Sequence, residues 1–184
     1  PTEEIGASAW HIDLDGHRIL LDSGIHPKID GAPSLPLFEL IAKEDLDSIA
    51  ITHCHHDHCG ALPVAAKYFP QAHLLMSELS YYLLPRILHN SVNVMKKQAA
   101  EKNIPEYPLY THEDVDLLKP RFQGFKYNRE VEWISFQKTR LGIPSPPLEL
   151  FDSGHTLGSA GVLIKSNNGK SLFYTGGCCL HDRS

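Results

Sequence analysis

Apolar and polar residues partly alternate near the start of the chain, and a turn signal interrupts the pattern. Residues 8–14 alternate as a half-buried strand does, and residues 18–21 form a second apolar run. The dipeptide Asp15-Gly16 between them is a strong signal for a two-residue β-hairpin turn. The chain is therefore predicted to open with a hairpin whose second strand ends at Asp22.

The pattern in the middle of the chain changes to short apolar runs and helical spacing. A short helix is predicted at 37–43, a buried strand at 48–52, a helix at 62–68 and a strand at 72–76. Ser77 is suited to cap a long helical region that extends to about residue 103, and Pro85 should kink or split it. Thr111 and Asp114 have the spacing of a capping box at the start of another helix.

Strand signals return in the last third of the chain. Residues 119–130 are predicted to form an exposed connection into a strand at 131–136. A further strand is predicted at 148–151. Residues 162–165 and 171–174, joined by Asn167-Asn168-Gly169, are predicted to form a second hairpin.

Composition limits the class of protein. A chain of 184 residues with 42% hydrophobic residues is long enough for one domain with a real core. The net charge of −5 gives no basic footprint for nucleic acid. No apolar run has membrane-spanning length, so no membrane partner is expected. Because the first residue is Pro1, the chain is expected to be a processed product or an excised piece.

Four cysteines form two close pairs in the sequence: Cys54 with Cys59, and Cys178 with Cys179. Adjacent cysteines are poorly suited to share one ion, which argues against a structural four-cysteine zinc site. Free thiols in a reducing cytoplasm are the simpler interpretation. Cys54 and Cys59 flank the histidines described next and are candidates for contact with them.

Six consecutive positions after the predicted strand at 48–52 carry metal-binding chemistry. They contain His53, His55, His56, Asp57 and His58. Imidazole and carboxylate suit a divalent transition metal, and this set offers more ligands than one ion uses. His53 and His55 should project to one side, with Asp57 and His58 directed toward a second ion. A surface histidine cluster or a disordered chelating tract is the alternative, but the strand before it and Gly60 after it argue against disorder.

Two further residues at predicted strand ends extend this site. Asp22 could accept the N–H of a ligand imidazole and fix its tautomer, or it could simply begin a turn before Ser-Gly. His155 follows the strand at 148–151. It could complete a three-histidine shell with His53 and His55, leaving a fourth position open for water as catalytic zinc requires.

These motifs carry a family resemblance. Thr52-His53-x-His55-x-Asp57-His58-x-Gly60, with Leu21-Asp22-x-Gly24 before it and Gly154-His155 after it, resembles the metallo-β-lactamase superfamily. Two other segments resemble its β-CASP branch of RNA-processing and DNA-repair nucleases. They are Gly154-His155-Thr156-Leu157-Gly158-Ser159-Ala160 and Tyr110-Thr111-x-Glu113-Asp114-Val115.

The resemblance implies a fold and a ligand set. The fold would be an α/β, four-layer αβ/βα sandwich, with residues 1–184 as one domain that forms the N-terminal part of a longer enzyme and is incomplete at its C-terminus. His53, His55 and His155 would hold a first metal ion, and Asp57 and His58 a second. Asp22 would be a supporting carboxylate. Zinc is the expected metal, as one or two ions, with manganese or iron as alternatives.

The resemblance also implies a reaction, with one departure from the family pattern. The expected activity is phosphodiester cleavage of RNA, or alternatively DNA, by a metal-activated water that Asp57 orients. Gly177 stands where the family has a metal-bridging Asp after Tyr-Thr-Gly, so weak or absent occupancy of the second metal is predicted. The alternative functions are a hydrolase of a thioester, lactam or lactone, and an inactive scaffold. Protein partners or a homodimer are compatible with each.

Overall fold

The computed structural model describes residues 6–132 and 145–178. Its first sheet contains five strands within these residues: β1 (Trp10–Leu14), β2 (His17–Leu21), β3 (Ser48–Ile51), β4 (His73–Ser77) and β5 (Phe122–Phe125). They lie in sequence order, with β1 antiparallel to β2 and the other neighbours parallel. Asp15 and Gly16 join β1 to β2 with φ angles of 54° and 80°, the left-handed conformations that a type I′ turn requires. The first predicted hairpin is confirmed.

The second sheet is antiparallel throughout. Within the described residues it contains β6 (Glu130–Val131), β7 (Leu148–Asp152), β8 (Ala160–Lys165) and β9 (Ser171–Tyr174), in that order. Strands β8 and β9 confirm the second predicted hairpin, with Val162 opposite Tyr174. The strand predicted at 131–136 coincides with β6 only at Val131, and its residues 133–136 lie outside the described ranges.

Four α-helices lie in the described part of the chain: α1 (His56–Cys59), α2 (Leu62–Tyr68), α3 (Glu78–Lys102) and α4 (His112–Leu118). Ser77 caps α3 as predicted, its Oγ accepting a hydrogen bond from the amide of Ser80 at 3.1 Å. Helix α3 continues through Pro85 as one helix, so of the two predicted effects of Pro85 the split is wrong and the kink stays a prediction. Leu84 and Leu88 are fully buried on either side of Pro85, and this packing holds the helix together across the missing hydrogen bond.

Two other predictions also need correction. The short helix predicted at 37–43 is a 3₁₀ helix that covers only Phe38–Leu40. The segment 119–130, predicted to be an exposed connection, contains β5 at the edge of the first sheet. Phe122 is buried in the core, and a Cβ at Gly124 would lie 3.2 Å from the Cα of Glu78. The glycine therefore allows α3 to pack closely on this strand.

The core forms two apolar layers, one on each face of the first sheet. Leu20, Ile49 and Leu74 face the helices, where they join a cluster that includes residues of α2 and α3. Their neighbours Leu21, Ala50 and Leu75 face the second sheet and pack with residues of β7 and β8. Burial on both faces explains why the parallel strands are apolar throughout. Helices, first sheet and second sheet are three layers of the expected sandwich.

The candidate site lies at one edge of this sandwich. Because β2, β3 and β4 are parallel, their carboxyl ends meet at the same edge of the sheet. Asp22 directly follows β2, and Thr52 and His53 directly follow β3. Strand β7 of the second sheet ends at Asp152, three residues before His155.

Candidate metal centre

The metal loop, defined here as residues 52–60, is held in place by backbone hydrogen bonds. The carbonyl of Thr52 accepts from the amide of Ala160 at 2.8 Å, which ties the loop to the second sheet. The carbonyl of Asp57 accepts from the amide of Ser8 at 2.9 Å, and that of His58 from the amide of Ser23 at 2.8 Å. Three separate segments of the chain therefore fix the position of this loop.

Three of the predicted residues converge. The ring centroids of His53 and His55 are 4.7 Å apart, and that of His155 lies 4.9 Å from each of them. One ring nitrogen from each of the three lies within 4.8 Å of the other two. Nε2 of His155 is 3.2 Å from Nδ1 of His55. Imidazoles from two distant parts of the chain thus surround one point.

The loop that carries His155 has its own supports. The hydroxyl of Ser159 accepts hydrogen bonds from the amides of His155 at 3.2 Å and Thr156 at 3.1 Å. The hydroxyl of Ser77 donates to the carbonyl of Gly158 at 2.6 Å. Since Ser77 begins α3, the position of the His155 loop depends on the start of the long helix.

Asp22 is the centre of a buried hydrogen-bond network. Its Oδ2 accepts from Nδ1 of His58 at 2.7 Å and from the hydroxyl of Tyr174 at 3.0 Å. Its Oδ1 accepts from the amide of Thr52 at 2.7 Å. The residue is fully buried. Of the two roles open to Asp22 from sequence, support of an imidazole is the one that agrees with these contacts.

The same network fixes the tautomer of His53. The hydroxyl of Thr52 lies 2.9 Å from Oδ2 of Asp22 and 3.0 Å from Nδ1 of His53. Because the carboxylate can only accept, the hydroxyl donates to Asp22 and must accept from N–H at Nδ1 of His53. Nε2 of His53 is then left with a lone pair, which is the form that binds a metal.

Burial and charge set the protonation of these imidazoles. Burial, with repulsion from His58, His55 and His155, lowers the pKa of His53 to about 3, so this ring is neutral near pH 7. Burial also opposes the charged form of His58. The hydrogen bond and negative charge of Asp22, with the charge of Asp57, outweigh it and raise the pKa of His58.

The residues present fit a transition-metal ion. Nε2 of His53 is buried and has no hydrogen-bond partner among the described residues. An unsatisfied buried polar atom costs about 1–3 kcal/mol, and a metal ion bound at Nε2 would remove this cost. The set of three imidazoles with one open position is the ligand chemistry of catalytic zinc.

The two residues predicted for a second ion lie beside the three histidines. Oδ2 of Asp57 is 3.7 Å from Nε2 of His58, and both side chains are partly exposed. They line the same cleft as His53, His55 and His155, with Gly177 on its wall. The cleft has a volume of about 950 Å³. Cys54 and Cys59 do not line it, and burial raises the pKa of both thiols.

Two participating residues were not predicted from sequence. Thr52 connects Asp22 to His53, and Tyr174 is a further donor to Asp22. Thr52 directly follows β3 and is the first residue of the family motif, whereas Tyr174 is signalled only by its place at the end of β9. The ligand roles of His53, His55, Asp57, His58 and His155 stay predictions at this point.

A family match agrees with this geometry. The model of the metallo-beta-lactamase superfamily matches residues 3–174, and the chain belongs to that superfamily. The superfamily implies binding of divalent metal. The fold class expected from the sequence motifs is confirmed.

Relatives place the chain more narrowly. Probable RNase MJ4 of Methanocaldococcus jannaschii is 31% identical over 179 residues, which cover 97% of this chain and 37% of that protein. Endoribonuclease ysh-1 of Neurospora crassa is 30% identical, with 94% and 19% covered. Cleavage and polyadenylation specificity factor 73 of Drosophila melanogaster is 28% identical, with 95% and 23% covered. Two of these three relatives are named as ribonucleases, and the resemblance to the β-CASP nuclease branch is confirmed. The chain spans well under half of their length.

Solved structures show the same fold. Igni18, a metallo hydrolase from the hyperthermophilic archaeon Ignicoccus hospitalis, is 20% identical with a TM-score of 0.52, covering 96% of this chain and 60% of that one. A metallo-beta-lactamase from Cronobacter sakazakii with a HARLDQ motif is 17% identical with a TM-score of 0.55, covering 95% and 62%. In the described part of the chain, no helix is long and apolar enough to cross a bilayer.

Proposed function

We propose that this chain is the metal-binding part of a metal-dependent phosphodiesterase that cleaves RNA. The observation that carries the proposal is the convergence of His53, His55 and His155, with a lone-pair nitrogen of His53 buried and unpartnered among the described residues. The names of the relatives, an RNase and an endoribonuclease, favour RNA over DNA or a small molecule.

The proposed ligand sets follow the two groups in the cleft. His53, His55 and His155 would hold the first ion, and Asp57 and His58 would contribute to a second. We infer zinc because imidazole dominates the set, with manganese or iron as alternatives. When bound, such an ion lowers the pKa of a water and neutralises charge on the phosphate.

The chain's own residues hold and orient the reacting groups. Asp22 keeps the N–H of His58 on Nδ1, so its Nε2 stays available. Burial keeps His53 neutral near pH 7, and its low pKa means that few protons compete for its lone pair. The carboxylate of Asp57 faces the cleft, where it accepts a hydrogen bond from the attacking water and directs the oxygen toward phosphorus.

Metal binding is the first test. The chain should bind zinc in a titration, and His53→Ala and His155→Ala should each lower the affinity at least 100-fold. His73→Ala is the matched control, because His73 is a half-buried histidine on β4 that contacts Gln123 and does not line the cleft. Zinc affinity unchanged in His155→Ala would contradict the three-histidine centre.

RNA cleavage is the second test. The metal-loaded chain should cleave a single-stranded RNA, and both His155→Ala and Asp57→Asn should abolish cleavage while His73→Ala retains it. Hydrolysis of a thioester or lactam with no cleavage of RNA would support the small-molecule alternative instead.

An inactive scaffold is the second candidate, favoured by the position of Gly177. This residue offers no ligand atom, and a Cβ there would lie 2.6 Å from Cδ2 of His155. A side chain at 177 therefore requires the imidazole of His155 to move. Cleavage that appears only in Gly177→Asp would indicate an altered enzyme. No cleavage in either form would support a scaffold that binds partner proteins or a second copy.

We infer a reducing compartment such as the cytoplasm from the cysteines. Cys54, Cys59 and Cys178 are all free thiols. Burial raises the pKa of Cys59, which keeps it protonated and unreactive.

A further inference from the structure

The metal cleft has a large exposed aromatic side chain on its wall. Trp10 begins β1 at the edge of the first sheet, and 61% of it is exposed. It lines the same cleft as His53 and Asp57. A tryptophan is normally well buried, so its exposure beside ligand-binding groups calls for an explanation.

Backbone hydrogen bonds fix Trp10 relative to the metal loop. The amide of Ser8 donates to the carbonyl of Asp57, and the carbonyl of Ser8 accepts from the amide of Gly24, both at 2.9 Å. Trp10 follows Ser8 by two residues, which is about 7 Å along an extended chain. The backbone of Trp10 is therefore held close to the loop that carries Asp57, and both residues line the cleft.

The space beside the indole is open. Gly6, Ala7, Ser8 and Ala9 precede Trp10 and line the cleft with small side chains only. The cleft volume of about 950 Å³ is at the upper end of the roughly 300–1,000 Å³ range of ligand sites. A flat aromatic group next to unfilled volume suits another flat ring.

Apart from the proposed metal ions, the described side chains of the cleft supply no fixed positive charge for nucleic acid, so stacking on Trp10 is the contact that its protein surface offers to a base. No Lys or Arg is found among the described residues that line it. The whole chain has a net charge of −5, which repels a polyanion. Proteins that bind single strands gain affinity from bases stacked on aromatic side chains, with little dependence on base identity.

We propose that Trp10 is a stacking platform for a nucleobase next to the phosphodiester held at the metal centre. This inference rests on the proposed function, since it takes the ligand to be single-stranded RNA. It adds a subsite that binds one nucleobase. It also predicts that RNA binding tolerates different base sequences and depends only weakly on salt concentration.

Tryptophan fluorescence gives a direct readout that does not need catalysis. The chain contains two tryptophans, so Trp133→Phe leaves Trp10 as the single reporter. In this background, a 2′-O-methyl oligoadenylate should quench the indole emission to saturation. The matching oligomer with abasic sites should bind more weakly and quench little.

Substitutions test the contribution of stacking. Trp10→Leu keeps apolar bulk and should weaken binding about 5- to 150-fold, the range for loss of one stacked base, while Trp10→Phe should fall between. Tyr82→Leu is the matched control, because Tyr82 is 65% exposed but does not line the cleft. KM for RNA should rise in Trp10→Leu more than kcat falls.

Two outcomes would overturn the inference, and they differ. If Trp10→Leu binds and cleaves RNA as the unsubstituted chain does, the stacking subsite is wrong while the proposed function stands. If the metal-loaded chain neither binds nor cleaves RNA in any form, the proposed function fails and the subsite fails with it.

Discussion

Asp22 and His58 are joined by a hydrogen bond of 2.7 Å between Oδ2 and Nδ1, across 36 residues of sequence. The side chain of Asp22 is fully buried. The backbone of Asp22 has a φ of 62°, a left-handed conformation that directs the carboxylate toward His58. Through Thr52 the same carboxylate also reaches His53. One acidic side chain therefore orients imidazoles of both proposed ligand sets.

Asp22→Asn should weaken metal binding with little change in the backbone. Asparagine tolerates the left-handed conformation, so the substitution removes mainly the charge and one acceptor. Loss of such a supporting carboxylate typically lowers metal affinity 10- to 100-fold, and that loss is expected in a zinc titration. Asp45→Asn, at an exposed position, is the control. Equal affinity in the two variants would show that Asp22 does not support the ligands.

Thr52→Val tests the hydroxyl that links Asp22 to His53. Valine has nearly the same shape but cannot accept from Nδ1 of His53, so a second ring nitrogen loses its partner. The free energy of unfolding should fall by about 1–3 kcal/mol, and zinc affinity should fall with it. Thr52→Ser keeps the hydroxyl and should retain most of the free energy of unfolding and most of the zinc affinity. If the serine and valine forms match, the hydroxyl has no such role.

The parts of the fold that can be predicted from the sequence are those that short local patterns determine. Asp15-Gly16 predicts the first hairpin because the turn itself demands left-handed residues. The capping box of Thr111 and Asp114 is present with both of its reciprocal hydrogen bonds. The convergence of His53 and His155 was expected because each follows a predicted strand and because the two motifs together resemble the ligand set of one family.

The parts that do not follow depend on contacts distant in sequence. The sequence pattern does not predict strand β5, because Gln123 and Gly124 interrupt its apolar residues and its pairing with β4 uses backbone groups. Helix α3 passes through Pro85 because tertiary packing outweighs the local penalty. Tyr174 reaches Asp22 across 152 residues, a contact for which no local pattern exists.

The capping box of α4 should give a pH-dependent share of stability. Burial acts to raise the pKa of Asp114, but hydrogen bonds from Lys67 and Thr111 outweigh it, so this pKa lies below its ordinary value of 3.8. Because the folded state holds the proton less tightly, the stabilisation is present above pH 3.8 and is lost as the pH falls through the folded-state pKa.

Urea unfolding of Asp114→Asn measures this effect. The variant should lose about 1 kcal/mol relative to the unsubstituted chain at pH 7, and the difference should shrink toward zero in acid. Glu113→Gln removes a charge from the same first turn and should cost about 0.3–1 kcal/mol at pH 7. A difference for Asp114→Asn that is constant from pH 7 into acid would contradict the assigned shift.

Gly24→Ala should damage both the fold and the metal loop. A Cβ at Gly24 would lie 1.7 Å from the carbonyl oxygen of Asp57 and 2.8 Å from the amide nitrogen of His58. These are backbone atoms, so no side-chain rotation can relieve the overlap, and the loop must move. We expect a loss of about 3 kcal/mol or more in the free energy of unfolding, together with loss of zinc binding.

Gly169→Ala separates this overlap from ordinary glycine effects. Gly169 has a φ of 84°, but its added Cβ would meet nothing within 4 Å. Its substitution should cost about 1–2 kcal/mol from the backbone conformation and should leave zinc affinity unchanged, because the turn is remote from the cleft. If Gly24→Ala loses no more stability than Gly169→Ala and still binds zinc, the close approach of Gly24 to the metal loop is not what positions Asp57.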